Sequence, residues 1–195
     1  MRSREAKELI ISWVTISIAF SYFGSNFLNL GEFFRIFPIS LVAVGTGFVF
    51  HELAHRAVAK HYGCLAEFRM WSTGLLLALV LPIISAGTLF FAAPGAVYIY
   101  GPHITRKENA MISLAGPLTN IIVGVLFFVM YMMVPATIVA PYILNLLERV
   151  AVLNFWFAFF NLVPIPPLDG SKIMLYNPTI WALLFFPLFA LFFMP

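Results

Sequence analysis

Long, mostly apolar stretches alternate along the chain with short segments that hold most of its charged residues. A helix needs about 20 apolar residues to cross the ~30 Å hydrocarbon core of a bilayer. Five stretches approach or exceed that length, at residues 9–30, 36–60, 110–134, 142–163 and 179–194. The pattern therefore predicts an all-α polytopic membrane protein with about five transmembrane helices.

Residues 72–93 form another uncharged stretch, which is long enough to span the bilayer. A crossing there would place Asp169, which follows the fourth span, on the opposite side of the membrane from the inner end of the second span. Pro82, Ser85 and Gly87 also divide the stretch into halves of about ten residues, a length that suits paired strands. We therefore prefer a small re-entrant or membrane-edge β-hairpin over a crossing, with its free edges covered by protein or facing a watery cavity.

The N-terminal segment MRSREAK places basic residues ahead of the first apolar stretch. A signal peptide is the alternative interpretation, but the stretch is longer than the usual apolar region of such a peptide, and no clear small-residue cleavage site follows it. Because basic residues favour the cytoplasmic side, we expect the N-terminus in the cytoplasm. The sequence shows no targeting features, which suits the cell membrane of an archaeon or bacterium.

The composition excludes several classes of protein. Of the 195 residues, 62% are hydrophobic and 10% are charged, whereas soluble domains are roughly half apolar and about a quarter charged. The net charge of +3 is spread without a basic run, so we expect no nucleic-acid partner. Cys64 is the only cysteine, which rules out an internal disulfide. We expect residues 1–195 to form one membrane-embedded domain, without a separate soluble domain.

The segment HELAH lies within the second apolar stretch. With ~3.6 residues per turn, the spacing of His51 and His55 places both on one face of a helix, where two imidazoles can bind one metal ion. Glu52 is rotated from His51 by ~100°. Its carboxylate can therefore stand beside the metal and take a proton from a water molecule there. The arrangement is typical of zinc hydrolases.

The alternative interpretation of HELAH is a helix surface with two solvated histidines and a glutamate. Within a membrane span this alternative is costly, because translocon-based scales assign a central charge about 2.5 to 3.5 kcal/mol. Ionisable residues at such positions generally serve a function. We therefore favour metal binding.

A tetrahedral catalytic zinc ion needs a third protein ligand and one open position for water. His61 and His103 lie in predicted connecting segments, and Asp169 is the only aspartate. Asp169 belongs to the run NLVPIPPLDG, whose three prolines should end the fourth helix and leave an extended peptide. Gly170 would allow a tight turn directly after the carboxylate. The spacing leaves open whether Asp169 is a metal ligand or a turn or helix-cap residue.

Together, HELAH in the second span and NLVPIPPLDG after the fourth resemble the motifs of the site-2 protease family of intramembrane zinc metalloproteases. The resemblance covers most of the chain. It implies that His51, His55 and Asp169 bind Zn²⁺. It also implies that Glu52 is catalytic, and that a re-entrant β element follows the HExxH helix, in agreement with the β-hairpin preferred above.

Three asparagines are further candidates. The family shows an asparagine eight positions before the aspartate, and Asn161 holds that position here, where its amide would hold the substrate carbonyl or the oxyanion. The alternative is a helix cap or a bond to its own backbone. Asn120 ends a segment that resembles the GxxxN pattern of the family, and would either orient a zinc ligand or link two helices. For Asn154 we favour an interhelical link over support of a ligand.

The resemblance implies hydrolysis of peptide bonds within transmembrane segments of membrane-protein substrates, as in regulated intramembrane proteolysis. The partners would be such a substrate and the lipid bilayer, and the site would open toward the cytoplasm. The sequence indicates no particular oligomeric state.

Three alternatives stay open. A membrane transporter would use the same side chains as an ion site, although the other spans lack a series of acidic or histidine residues. A non-catalytic relative would bind metal or transmembrane helices. A protease of the class that trims prenylated C-termini would need a downstream glutamate as third ligand, and Glu148 is predicted near the outer end of the fourth span, away from the site.

Overall fold

The computed structural model describes residues 3–22, 29–85, 94–101, 104–135 and 140–194. Within these residues the chain forms eight α-helices, one π-helical turn and two β-strands. In chain order these elements are α1 Ser3–Tyr22, α2 Leu30–Val44, the π-helical turn Gly45–Val49, α3 Phe50–His61, β1 Leu65–Met70, α4 Ser72–Ile84, β2 Gly95–Tyr100, α5 Arg106–Met133, α6 Pro141–Leu162, α7 Asp169–Tyr176 and α8 Pro178–Phe193.

Three of the described helices are long and apolar enough to cross a membrane. One is the continuous helix Leu30–His61, which joins α2, the π-helical turn and α3. The others are α5 and α6, and the three helices contain 32, 28 and 22 residues respectively. They correspond to the predicted second, third and fourth spans, as expected for an integral membrane protein.

The predicted first and fifth spans are also helical, but they do not match a membrane span as closely. Helix α1 carries four charged residues in its first two turns, and residues 23–28, at the end of the predicted first span, lie outside the described residues. Helix α8 has 16 residues, fewer than the ~20 that a perpendicular crossing needs. The count of about five spans therefore stays a prediction.

The prediction of a β-hairpin at residues 72–93 is wrong where the structure describes this segment. Residues Ser72–Ile84 form α4, while residues 86–93 lie outside the described part of the chain. The leucine-rich run is made mostly of good helix formers, and Pro82 lies close enough to the end of α4 to interrupt little of it. With 13 residues, α4 is by itself shorter than a membrane-spanning helix.

The small sheet that follows the HExxH helix is formed by the segments on either side of α4. Strands β1 and β2 pair antiparallel, with Phe68 opposite Val97. Phe68 points into the apolar core and is 1% exposed. The charged residues Glu67 and Arg69 fall at alternate positions and pair with each other at 3.0 Å. Because β1 has only six residues and carries these charges, the hydropathy pattern does not predict a strand there.

Helix α5 packs against α3, α6 and α7. Glycines allow close contacts in this bundle. A Cβ atom at Gly47 would lie only 2.7 Å from the ring of Phe157, too close for any larger residue without a shift of the ring. A Cβ atom at Gly124 would lie equally close, at 2.7 Å, to the ring of Phe155. Close packing brings the histidine face of α3 against α5 and near the start of α7.

The proline-rich segment ends α6 at Leu162, as predicted. Residues 163–168 then form bends and a turn rather than the expected extended peptide, and the backbone N–H of Leu168 donates to the carbonyl of Ile165 at 2.9 Å. Gly170 lies within α7 instead of forming a turn. It lies against the carbonyl of Leu162, which a Cβ atom would overlap, so close approach explains the glycine here.

Candidate metal centre

Helix α3 presents three buried polar side chains directly after the π-helical turn. His51, Glu52 and His55 are 5%, 8% and 7% exposed. The two imidazoles lie one helical turn apart, and their Nε2 atoms are separated by 2.9 Å. The helical spacing predicted from HELAH is therefore present, and both ring nitrogens point to one place.

Asp169 reaches the same place from the first turn of α7. Its Oδ2 atom lies 3.0 Å from Nε2 of His55 and 3.4 Å from Nε2 of His51. A carboxylate in the first turn of a helix is favoured by the helix dipole. The close approach of Gly170 to Leu162 sets the start of α7 against the end of α6. Residues that are far apart in sequence thus form one cluster.

The cluster has the shape and chemistry of a metal site. Its donor atoms all lie within 4.8 Å of one another, and two imidazoles with one carboxylate form a ligand set that zinc commonly binds. Ligands at about 2.0–2.2 Å from a tetrahedral zinc ion lie about 3.3–3.5 Å apart. The observed separations of 2.9, 3.0 and 3.4 Å are close to this value.

Gly116 keeps this space open on the side of α5. A Cβ atom at this position would lie 2.5 Å from Nε2 of His55 and 2.6 Å from Nε2 of His51. Any larger residue would therefore press on the donor atoms themselves. The absence of a side chain leaves room where a cation would sit.

The far nitrogen of each imidazole is fixed by a hydrogen bond. Nδ1 of His55 donates to the backbone carbonyl of Ile112 at 2.7 Å. Nδ1 of His51 donates to Oδ1 of Asn120 at 2.6 Å. In the neutral rings both Nε2 atoms therefore carry lone pairs. The two Nε2 atoms and Oδ2 of Asp169 are then three acceptors that face one another, an arrangement that a cation between them stabilises. The residues therefore fit a bound metal ion.

A pair of buried amides fixes the orientation of Asn120. Its Nδ2 atom donates to the carbonyl of Gly47 at 2.7 Å and to Oδ1 of Asn154 at 3.3 Å. Asn154 in turn donates to Oγ1 of Thr46 at 2.9 Å. Both asparagines are fully buried. Asn154 therefore joins helices, as favoured from the sequence, and it also contacts the residue that holds His51.

Glu52 is the polar group of this site that lacks a complete set of partners. Its Oε2 atom is buried without a hydrogen bond within the described part of the chain. Its carboxyl group lies beside the backbone N–H of Val97 in β2. A buried carboxylate oxygen without a partner is costly, so its retention points to a chemical use.

Sequence comparisons agree with this chemistry. A sequence model of peptidase family M50 matches residues 135–182. A protein of Methanocaldococcus jannaschii named "Putative zinc metalloprotease MJ0611" is 43% identical over 189 residues, which cover 95% of this chain and 91% of that protein. The chain belongs to peptidase family M50, the site-2 proteases. It is accordingly a zinc metalloprotease of the site-2 type, with Zn²⁺ as cofactor.

Two further relatives are more distant. The protein named "Zinc metalloprotease MJ0392", from the same archaeon, is 29% identical over 152 residues, which cover 77% of this chain and 37% of that protein. The protein named "Putative zinc metalloprotease YwhC", from Bacillus subtilis, is 26% identical over 159 residues, which cover 72% of each chain. No solved structure shows a significant match to this site-2 protease.

The charge on Asp169 suits the zinc centre of a site-2 protease. A cation beside a carboxyl group favours its charged form, so a bound zinc ion would keep Asp169 ionised at neutral pH. Lys172 lies 3.7 Å from the other oxygen, Oδ1, which leaves Oδ2 directed toward the histidines.

Other predicted residues fall outside the cluster. Asn161 is half-buried in the last turns of α6, and its amide donates to the carbonyl of Phe157 at 3.0 Å, which is the bond to its own backbone that the sequence left open. His61 is exposed at the end of α3, and Glu148 is exposed on α6. His103 lies outside the described residues.

Two contributors to the site escaped the sequence reasoning. The GxxxN resemblance pointed to Asn120, but the role of Gly116, the glycine of that pattern, was not predicted. The carbonyl of Ile112 left no signal, because a backbone acceptor has no signature in the sequence. Its position depends on how α5 packs against α3.

Proposed function

We propose that this site-2 protease hydrolyses peptide bonds within the transmembrane segments of membrane-protein substrates, in regulated intramembrane proteolysis. The observation that carries the proposal is the buried group of His51, His55 and Asp169, with Glu52 beside it. This group belongs in part to a helix, Leu30–His61, that is long and apolar enough to cross a membrane. A hydrolytic centre at that depth would meet peptide bonds that are themselves in the membrane.

In this proposal His51, His55 and Asp169 hold the zinc ion. Zinc, when bound, acts as a Lewis acid toward the scissile carbonyl and makes water a better nucleophile at neutral pH. The Ile112 carbonyl and Asn120 keep the Nε2 lone pairs directed to the site. Fixed tautomers of this kind raise the affinity of histidine ligands for metal.

Glu52 is the proposed general base and acid. Its carboxylate takes a proton from the attacking water as the oxygen bonds to the carbonyl carbon. It then returns the proton to the nitrogen as the carbon–nitrogen bond breaks, so that a carboxylic acid and an amine are the products. The unpartnered Oε2 atom supports this role, because a group that moves a proton needs a free position for the incoming water.

Asn161 is proposed to hold the substrate carbonyl or the oxyanion that forms during attack. Its Nδ2 group has two hydrogens, and the bond to Phe157 uses one of them. The second hydrogen is available for a substrate oxygen. An amide donor needs no change of protonation state to stabilise developing negative charge.

The outer edge of β2 is the proposed docking site for the substrate backbone. A substrate helix satisfies its own backbone groups and must unwind before attack. An unwound segment can pair with an exposed strand edge by β-augmentation. The N–H of Val97 lies beside Glu52, so a strand added there would run past the catalytic group.

We place the site in a cell membrane of an archaeon or bacterium, with the N-terminus and the opening of the site toward the cytoplasm. The proposal takes the orientation from the basic N-terminal segment and the positive-inside bias. The partners are then the bilayer and a substrate with a transmembrane segment. Water would reach Glu52 through a polar cavity on the same side.

Cleavage of a reconstituted transmembrane peptide by the purified protein tests the proposal. Wild-type protein with zinc should cleave within the apolar segment, as mass spectrometry of the products would show. Glu52→Gln protein should bind zinc and leave the peptide intact. Zinc-loaded wild-type protein that binds transmembrane peptides but cleaves none would favour the non-catalytic, helix-binding alternative.

A further inference from the structure

Side chains from α1 cover the outer edge of β1. The backbone N–H of Phe68 donates to Oε1 of Glu5 at 3.4 Å, and the N–H of Met70 donates to Oε2 of Glu8 at 3.2 Å. Both N–H groups point away from β2, since opposite residues in an antiparallel sheet alternate between hydrogen-bonded and non-hydrogen-bonded pairs. The N–H of Val97, opposite Phe68, points outward on the other edge for the same reason.

Arginines tie the same two glutamates to the sheet and to the HExxH helix. Nε of Arg56, the residue after His55, lies 2.9 Å from Oε1 of Glu5. It also donates to the carbonyl of Ala66 at 3.4 Å. Arg69 of β1 lies 3.2 Å from Oε1 of Glu8. The glutamates therefore connect α1 to β1, and through Arg56 to α3.

Both glutamates are buried, Glu5 at 2% and Glu8 at 8% exposed. Buried carboxylates are costly unless they are paired and hydrogen-bonded. Here each accepts a backbone N–H and an arginine, and such charge-assisted bonds are strong and directional. Charges that cover a strand edge also prevent another strand from pairing there. Among the described residues the sheet has two strands, and its other edge, that of β2, runs beside Glu52.

We propose that Glu5 and Glu8 are positioning residues for substrate binding. They fix β1 against α1 and α3, and the paired strand β2 is thereby held with its outer edge beside Glu52. The inference rests on the proposed function, in which that edge binds the unwound substrate. Loss of either carboxylate should loosen the sheet and weaken substrate binding, while the zinc ligands on α3 and α7 stay in place.

Steady-state cleavage of a transmembrane peptide by reconstituted Glu8→Ala protein tests the proposal. KM should rise about tenfold, the effect of one charge-assisted hydrogen bond, while kcat and the zinc content stay near the wild-type values. A partly unfolded preparation would instead lower the apparent kcat without raising KM. The KM-against-kcat split therefore separates positioning from a general loss of structure.

Two conservative variants and a control sharpen the test. Glu8→Gln retains an acceptor for the N–H of Met70, so its KM should return most of the way to the wild-type value. In Glu5→Gln the amide oxygen remains as a nearby acceptor for Arg56. Glu32→Ala removes a more exposed ion pair far from the sheet, Glu32–Arg35 at 3.5 Å near the start of α2, and should leave KM unchanged. Hydrogen exchange at the Met70 amide should be faster in Glu8→Ala than in Glu8→Gln.

An unchanged KM in Glu8→Ala, with active wild-type protein, would overturn the positioning role and leave the proposed function intact. A fall in kcat at constant KM would also overturn it. If Glu8→Ala fails to fold, the two glutamine variants are compared with Glu32→Ala. A small residual rise in KM in either of them, from the lost charge beside its arginine, supports the role, and KM equal to that of Glu32→Ala in both overturns it. Wild-type protein that binds zinc but cleaves nothing would refute the proposed function, and this inference with it.

Discussion

Nδ1 of His51 lies 2.6 Å from Oδ1 of Asn120. The amide of Asn120 cannot rotate to offer its nitrogen instead, because Nδ2 is held by the carbonyl of Gly47 at 2.7 Å. The asparagine therefore selects the tautomer of His51 in which Nε2 is free to bind a metal. A residue on α5 thus sets the chemistry of a residue on α3.

Replacement of Asn120 by alanine should lower zinc affinity about 10–100-fold, the usual effect of losing a hydrogen bond to a metal ligand. The reason is that His51 would lose the partner that fixes its tautomer and ring orientation. Competition with a chromogenic zinc chelator measures the change. Asn145→Ala, which removes an exposed amide bonded to Arg149, should bind zinc like wild type. Equal affinities for both variants would contradict the role of Asn120.

Gly116→Ala should abolish zinc binding or weaken it sharply. The added methyl group would lie 2.5 Å from Nε2 of His55 and 2.6 Å from Nε2 of His51, which forces one imidazole out of the cluster. Zinc content after purification gives the measurement, with Leu118→Ala as control because Leu118 is an exposed residue of the same helix. A Gly116→Ala protein with a full zinc content would show that the space beside the histidines is not needed.

Glu52→Gln should keep zinc and lose cleavage by about a hundredfold or more, the usual contribution of a general base. The amide keeps the size of the side chain but cannot take a proton. Chelation of zinc from the wild-type protein should likewise stop cleavage, and added zinc should restore it. If Glu52→Gln loses zinc together with activity, Glu52 binds the metal, as an ion-transport site would require.

Ile99→Pro should impair cleavage while the zinc content stays unchanged. Proline removes an N–H that points outward from β2, two residues beyond the Val97 N–H that lies beside Glu52. Ile99 faces Ala66 across a non-hydrogen-bonded pair, so no bond between the two strands is lost. Peptide cleavage and zinc content, measured on the same preparation, give the two readouts. Normal turnover would exclude the β2 edge as the docking site for the substrate.

The sequence predicted the parts of this protein that depend on local pattern. The second, third and fourth apolar stretches are helices, and HELAH places its histidines on one face because four residues make about one helical turn. The convergence of Asp169 on them was expected from the family resemblance rather than from spacing. In the structure its Oδ2 atom lies 3.0 Å from Nε2 of His55.

Features that depend on tertiary contacts could not be predicted from the pattern of apolar and polar residues. Pro82, Ser85 and Gly87 suggested strands at residues 72–93, yet Ser72–Ile84 is a helix, because helix propensity in the leucine-rich run outweighs a proline near its end. Strand β1 carries Glu67 and Arg69, which look like loop residues until their partners from α1 and β1 are known. Gly170 suggested a turn, but its close contact with Leu162 is long-range.

The central claim is that His51, His55 and Asp169 together bind one zinc ion. The most direct test is the zinc content of the detergent-purified protein, measured in parallel for wild type, His55→Ala, Asp169→Ala and the control His61→Ala. We predict about one zinc ion per chain in wild type and His61→Ala, and little or none in the other two. No zinc in wild-type protein purified without chelator, or full binding by Asp169→Ala, would contradict the three-ligand site.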